Sequence, residues 1–172
     1  SDPNASLYWL ARLLEGGEDI KFIARRLVIL AAEDIGLANP NALLIANACF
    51  DAIHKLGMPE ARIPLAEATI YLANSSKSNS AYTAIDQALA LVKETGDLPV
   101  PLHLRNAPTK LMKALDYGKS NKYSHDFPNN FADQQYLPDQ LDGRIIYKPQ
   151  TNSQEDKMKQ NMQNRWKNRY KY

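Results

Sequence analysis

SDPNASLYWLARLLEGG, residues 1–17, sets the pattern from which the rest of the fold is read. Asp2 stands where a helix N-cap accepts the first free N–H groups. Pro3 suits the first helical position, where a missing N–H costs nothing, and Gly16 with Gly17 supplies the stop. Between these signals Leu7, Leu10, Leu13 and Leu14 recur three or four residues apart as one helical stripe, with Trp9 beside them as an expected packing anchor of the core.

The same grammar continues along the chain. Residues 19–34 place Ile20, Ile23, Leu27 and Leu30 on one stripe that ends at Gly36, with Arg25 and Arg26 off it. Asn39 and Pro40 repeat the cap-then-proline start, and the following stretch runs through Leu44, Ala48 and Phe50 to Gly57. Pro59 and Pro64 bracket a fourth helix start, because proline is tolerated in a first turn and costs about 3 kcal/mol in a helix interior. Leu65, Ile70 and Leu72 belong to that helix. A fifth, residues 79–94, follows NSSKS and stops at Gly96. Helices joined by short loops, with no strand alternation in the first 100 residues, predict an all-α fold, a multi-helix antiparallel bundle.

After Pro99 and Pro101 the texture changes. Residues 106–108 read as another helix start, and LMKALDY runs to Gly118. Residues 119–151 lack a helical period and form a Pro/Tyr-rich extended arm, in which QQYLP and RIIYKP read as short strands or as extended pieces pinned by their prolines. A connector of that length is expected to wrap the surface, held by its tyrosines. SQEDKMKQNMQNRWKNRYKY then reads as a last helix capped by Ser153, with Met158, Met162, Trp166 and Tyr170 stepping along one face. The organisation is therefore a helical domain over 1–118, an arm over 119–151, and a basic C-terminal helix or tail over 152–172.

The 172 residues, 44% hydrophobic and 23% charged, have an ordinary globular composition, well away from that of a disordered chain. No apolar run nears the roughly 20 residues of a bilayer span, and the N-terminus lacks a signal-like pattern, so a soluble, intracellular chain is expected. The lone Cys49 lies in the apolar run LLIANACFDAI, where a thiol packs as a core residue. The net charge of +2 hides a segregation. Residues 1–100 carry 8 Lys or Arg against 12 Asp or Glu, residues 101–125 carry 5 against 1, residues 126–154 carry 2 against 4, and residues 155–172 carry 6 against 2. Two basic islands thus sit on an acidic body.

Three motifs bear on chemistry. Gly118, Lys119 and Ser120 spell the end of a phosphate-binding loop, but the position of its first glycine holds Lys113 and no buried strand precedes it, so no ATP site is expected in this chain. His125–Asp126 is the pair that metal-dependent hydrolases use as part of a larger ligand set. With only His54, His103 and His125 in the chain, and none at ligand spacing from another, the pair reads better as a loop anchor, and neither a catalytic residue nor a metal ligand is assigned. Arg105, Lys110, Lys113, Lys119 and Lys122, interleaved with Tyr117 and Tyr123, combine charge for phosphates with π-faces for bases, as single-stranded nucleic acid binding requires. A solvated face whose tyrosines staple a loop has the same composition.

SDPNASLYWLARLLEGGED, RRLVILAAEDIGLANPNAL, YLANSSKSNSAYTAIDQAL and VPLHLRNAPTKLMKALDYGKSNKYSHD, in this order, resemble the C-terminal region of the RarA/MgsA family of replication-associated recombination proteins, which includes the Werner helicase-interacting ATPase. The likeness runs from residue 1 to about 149. It implies a fragment preceded, in the whole protein, by an AAA+ module that is related to clamp loaders and binds ATP and Mg²⁺; the fragment itself needs no cofactor and is no enzyme. It also implies a collar-like helical domain that holds four subunits together, and a DNA-dependent ATPase acting on single-stranded or junction DNA beside the single-strand DNA-binding protein, in the cytoplasm with the nucleoid and apart from membranes. A self-contained metal-dependent hydrolase using His125 and Asp126 is the alternative.

Overall fold

Helix α1, Pro3–Glu15, starts as the sequence requires: Asp2 Oδ1 accepts from the N–H groups of Asn4 and Ala5 at 2.9 and 3.0 Å. The structure, a computed structural model, describes residues 1–167 and 169–172. Helix α2, Ile20–Leu30, is capped by Asp19 and continues into a π-helical turn, Ala31–Ile35, before Gly36 turns the chain at φ 48°. Glycine is demanded there on two counts, since a Cβ would meet the Ser78 carbonyl oxygen at 2.6 Å. Helix α3, Asn41–Leu56, ends at Gly57, α4 spans Arg62–Ala73, and α5 spans Ser80–Thr95. Asn39 does not cap α3 with its side chain. Its amide instead donates to Tyr71 Oη (3.0 Å) and Ser75 Oγ (3.1 Å), tying the turn to the end of α4.

The chain forms two compact units, Ser1–Ile85 with Pro149–Met158, and Asp86–Lys148 with Lys159–Tyr172. In the first, α2 packs on α3, α1 on α4, and α3 on α4. Alanines at the contacts, Ala24, Ala42, Ala46, Ala61 and Ala68, let the helices approach closely around Ile23, Ile53, Leu65 and Leu72. Each fully buried Leu or Ile contributes about 1.5–3 kcal/mol by leaving water. Cys49 belongs to this core, and burial, with a smaller push from the charge of Glu67, raises its thiol to about 11. Trp9 does not: it is 58% exposed. Leu7, Leu10 and Leu14 take the inward stripe, and Trp9, one position before Leu10, is rotated about 100° away from it.

Besides the later turns of α5 and of the last helix, the second unit is built from short turns and one short helix, α6, Lys110–Ala114, capped by Thr109 Oγ1. It stops well before Gly118, because Asp116 takes φ 63°. Neither QQYLP nor RIIYKP forms a strand, so the all-α fold holds and the strand alternative for the arm does not. Side chains do the pairing instead. Gln134, only 9% exposed, accepts from the Lys122 N–H and donates to the Lys122 carbonyl, both at 3.1 Å, as a paired strand would. The last helix, α7, is Ser153–Trp166, and the N–H of Glu155 is accepted by Asn152 Oδ1, not by Ser153. Trp166 meets Phe131, Tyr136 and Tyr170 edge-on, at centroid distances of 5.0, 6.1 and 5.3 Å. Arg169 pairs with both Asp133 and Asp142.

Candidate nucleic-acid interface

The basic segment 105–123 lies wholly in the second unit, and its cations divide into engaged and free. Arg105 is a tie: Nε donates to the Val100 carbonyl at 2.7 Å, Nη1 donates to Tyr117 Oη at 3.1 Å, and the guanidinium stacks 5.0 Å over the Tyr117 ring. Two prolines, Pro99 and Pro101, hold the Val100 carbonyl in place for it. Lys119 pairs with Asp116 at 3.0 Å on the exposed surface, and Lys122 Nζ donates to the Asp133 carbonyl at 2.9 Å. Exposed pairs of this kind contribute little to stability, so Lys119 is held loosely. Lys110 and Lys113, one helical turn apart on α6, are exposed and in no hydrogen bond or ion pair among the described residues. Leu111 between them is 70% exposed. Tyr123 is exposed and tilts against His125, with ring centroids 5.1 Å apart.

The phosphate-loop likeness dissolves in the geometry. The Gly118 N–H donates to the Leu102 carbonyl at 2.9 Å, which removes it from any phosphate cradle. Gly118 has φ 72°, and a Cβ at this position would lie 3.2 Å from the Arg105 carbonyl oxygen. Its glycine serves that left-handed turn. A hollow of about 350 Å³ opens beside it, lined by His103, Asp116, Lys119, Ser120 and Gln134 among others. His103 Nε2 lies 2.8 Å from the Gln135 carbonyl oxygen, and His125 stands in a 3₁₀ turn, Ser124–Asp126. Among the described residues no three His, Cys, Asp or Glu side chains gather at ligand distance, so the metal-dependent hydrolase alternative finds no support. No helix among them is long and apolar enough to cross a membrane.

Sequence reasoning missed the exposed apolar edge of α5. Tyr82, Ile85, Leu89 and Val92 are between 47% and 61% exposed on that helix. Their spacing of three, four and three residues is legible in the sequence as a stripe; that the stripe stays uncovered is not.

In class the chain is an all-α, multi-helix domain. Residues 1–166 match the family model described as MgsA AAA+ ATPase C terminal, and the chain belongs to that family. It is 49% identical, over 95% of its length, to replication-associated recombination protein A of Coxiella burnetii, and 48% identical over 93% to the protein of that name from Bacillus subtilis. The Escherichia coli K12 protein is 42% identical over 92% of the chain. The chain spans only 37%, 38% and 36% of these three relatives, respectively. It is similar to their C-terminal part, as the resemblance implied.

Proposed function

We propose that this chain is the self-assembly and DNA-contact domain of an AAA+ ATPase of replication-associated recombination, and that it assembles as a homotetramer. One observation carries the assembly: Tyr82, Ile85, Leu89 and Val92 form an exposed seam with the three-four spacing of a coiled-coil a/d stripe. Four large apolar side chains in a row on one helix favour a partner helix of the same kind. A tetramer with two-fold axes needs two self-complementary faces. Ile63 and Ile70, seven residues apart on α4 and both exposed, are candidates for the second.

The DNA contact rests on Lys110 and Lys113, the cations of the basic segment in no hydrogen bond or ion pair among the described residues, with Tyr117, Tyr123 and the loosely held Lys119 beside them; Arg105 and Lys122 act as braces of that surface. The relatives' names, which speak of replication and recombination, support DNA as the ligand, and the interleaved lysines and tyrosines suit a single-stranded or junction form of it. ATP and Mg²⁺ belong to the preceding module of the whole protein. The single-strand DNA-binding protein is its partner on the strand, and the cytoplasm with its nucleoid is its place.

Sedimentation velocity across a concentration series tests the assembly. The wild-type chain should approach a tetramer at roughly tens of micromolar, where interfaces of standard size are filled. Leu89→Glu with Val92→Glu should lower the mass while leaving the helical circular dichroism unchanged, because both side chains are more than half exposed. A wild-type chain that stays monomeric across the series overturns the proposal.

A further inference from the structure

One groove of the first unit is left uncovered. Helix α1 packs on α4 and α2 on α3, and the sides that α1 and α2 present to each other stay open as an apolar cleft of about 330 Å³. Both helices line it at helical spacing, with Ser6, Trp9 and Leu13 from α1 and Phe22, Arg26 and Leu30 from α2. Trp9, Leu13 and Phe22 are 58%, 44% and 43% exposed. An apolar groove between two helices is the surface that an amphipathic segment covers. Ser1 lines the same cleft. From Ser1 to Leu13 the groove follows the chain for about 18 Å at about 1.5 Å per residue, a length that about twelve helical residues or about six extended ones span.

The position of Ser1 argues for one occupant. In the proposed function a module precedes this chain, which matches only the C-terminal part of its relatives, 36% to 38% of their length. The residues that join that module to Ser1 leave from the wall of the groove, and tethering gives them an effective concentration there of about millimolar. A second copy suits the groove less well. Arg26 and Lys77 line it, Arg12 and Arg25 stand 5.4 and 6.0 Å over the Trp9 and Phe22 rings, and none of the four is in an ion pair among the described residues. A two-fold contact would set these cations against their own copies. We infer that the groove seats the segment joining the preceding AAA+ module to Ser1, folded back along α1 with its apolar side on Trp9, Leu13 and Phe22. The inference rests on the proposed function only in taking a module to precede Ser1. It gives Trp9 a packing role whose cover comes from outside residues 1–172.

Leu13→Cys and Phe22→Cys place a thiol on the groove, and Leu44→Cys, at a position 67% exposed on α3, places one outside its lining. The native Cys49 is buried and labels slowly. Maleimide labelling is compared in this chain, in the chain extended by the roughly twenty residues that precede Ser1 in its gene, and in the full-length ATPase, with the labelled peptide located by mass spectrometry. The extension should slow labelling of Leu13→Cys and Phe22→Cys by about tenfold or more and leave Leu44→Cys unchanged, and the full-length protein should behave alike. Equal rates with and without the extension overturn the inference. So does protection of the unextended chain that rises with its concentration, which seats a second copy in the groove, or that requires oligothymidylate, which seats a strand. Protection confined to the full-length ATPase assigns the groove to a more distant part of the module and overturns the adjoining segment. If the extension protects the groove while the chain sediments as a monomer and binds no oligothymidylate, the proposed function falls and the occupant stands.

Discussion

Ser80 Oγ donates to Glu155 Oε1 at 2.5 Å, joining the first residue of α5 to the first turn of α7 across 75 residues of chain. Both side chains are almost wholly buried. Ser78 Oγ donates to Ser80 Oγ at 3.0 Å, and Asn152 Nδ2 donates to the other carboxylate oxygen at 2.6 Å. A buried carboxylate is tolerable only when its lone pairs are filled in this way, and the network therefore fixes where the C-terminal helix docks in the first unit. Removing a donor leaves the carboxylate short of a partner. Ser80→Ala should cost about 1–3 kcal/mol, and Glu155→Ala, which strands both Ser80 and Asn152, should cost more. In thermal unfolding the double variant should fall well short of the sum of the two, as it does for residues in one network. Full additivity would mean that the hydrogen bond is incidental.

Cys49 supplies a prediction with a definite pH window. Burial raises its thiol from 9.0 to about 11, so between those values the unfolded chain gives up a proton that the folded chain keeps. Stability should therefore fall as pH rises from about 9 to 11, through this group, and be unaffected by it below that range. Cys49→Ala should flatten the fall in urea midpoints over the window, relative to wild type. For the same reason a thiol reagent at pH 8 should label the native protein slowly and the urea-unfolded protein at once. Fast native labelling would show that the α3–α4 contact opens readily.

Much of the first unit was legible because its signals are local. Asp2, Asp19, Gly16, Gly36 and Gly57 each decide a boundary within a few residues of themselves, and the leucine and isoleucine stripes follow. Trp9 was misplaced because a stripe read loosely absorbs its neighbour, although one residue of offset turns a side chain about 100° on a helix. What escaped the sequence altogether was polar and distant: Gln134 pairing with the Lys122 backbone, Glu155 with Ser80, Asn39 with Tyr71. No periodicity marks such pairs, because a side chain that replaces a backbone partner leaves no repeat. The basic segment was legible as composition only. Which of its cations are already occupied depends on Val100, Asp116 and Asp133, and the fold alone brings these to them.

Trp166 is the hinge of the arm's packing in the second unit. Phe131, Tyr136 and Tyr170 each meet it at interplanar angles of 83° to 89°, the edge-on geometry that such rings prefer, worth about 0.5–1.5 kcal/mol per pair beyond burial. Trp166→Ala should abolish most of the near-ultraviolet circular dichroism of the second unit and expose residues 131–147 to protease, whereas Trp166→Phe should retain protection. Burial also raises the hydroxyls of Tyr170 and Tyr172, so both should ionise above the pH of an exposed tyrosine in a spectrophotometric titration. Protease resistance in Trp166→Ala would transfer the arm's anchoring to Arg169 and its two aspartates.

The last prediction separates braces from contacts within the basic segment. On the proposed reading Lys110 and Lys113 each meet a phosphate, because among the described residues these two of the five cations are in no hydrogen bond or ion pair, and each phosphate neutralised on a single strand adds about 0.7 to the slope of log affinity against log salt. Lys110→Gln with Lys113→Gln should therefore lower that slope by about 1.4 and leave the melting temperature nearly unchanged, since both side chains are exposed and in no hydrogen bond or ion pair among the described residues. Arg105→Gln should do the reverse: it breaks the ties to Val100 and Tyr117, lowers stability, and alters the slope only as far as the loop moves. Lys119→Gln lies between, because its exposed pair with Asp116 can open to a phosphate at small cost. The comparison should be made on oligothymidylate with the isolated chain and again in the full-length ATPase. If Arg105→Gln lowers the slope as much as the lysine pair does while the fold stays intact, the guanidinium itself reaches DNA. If no variant moves the slope in either setting, the strand is held by the preceding module, and the segment's charge is a solvated face.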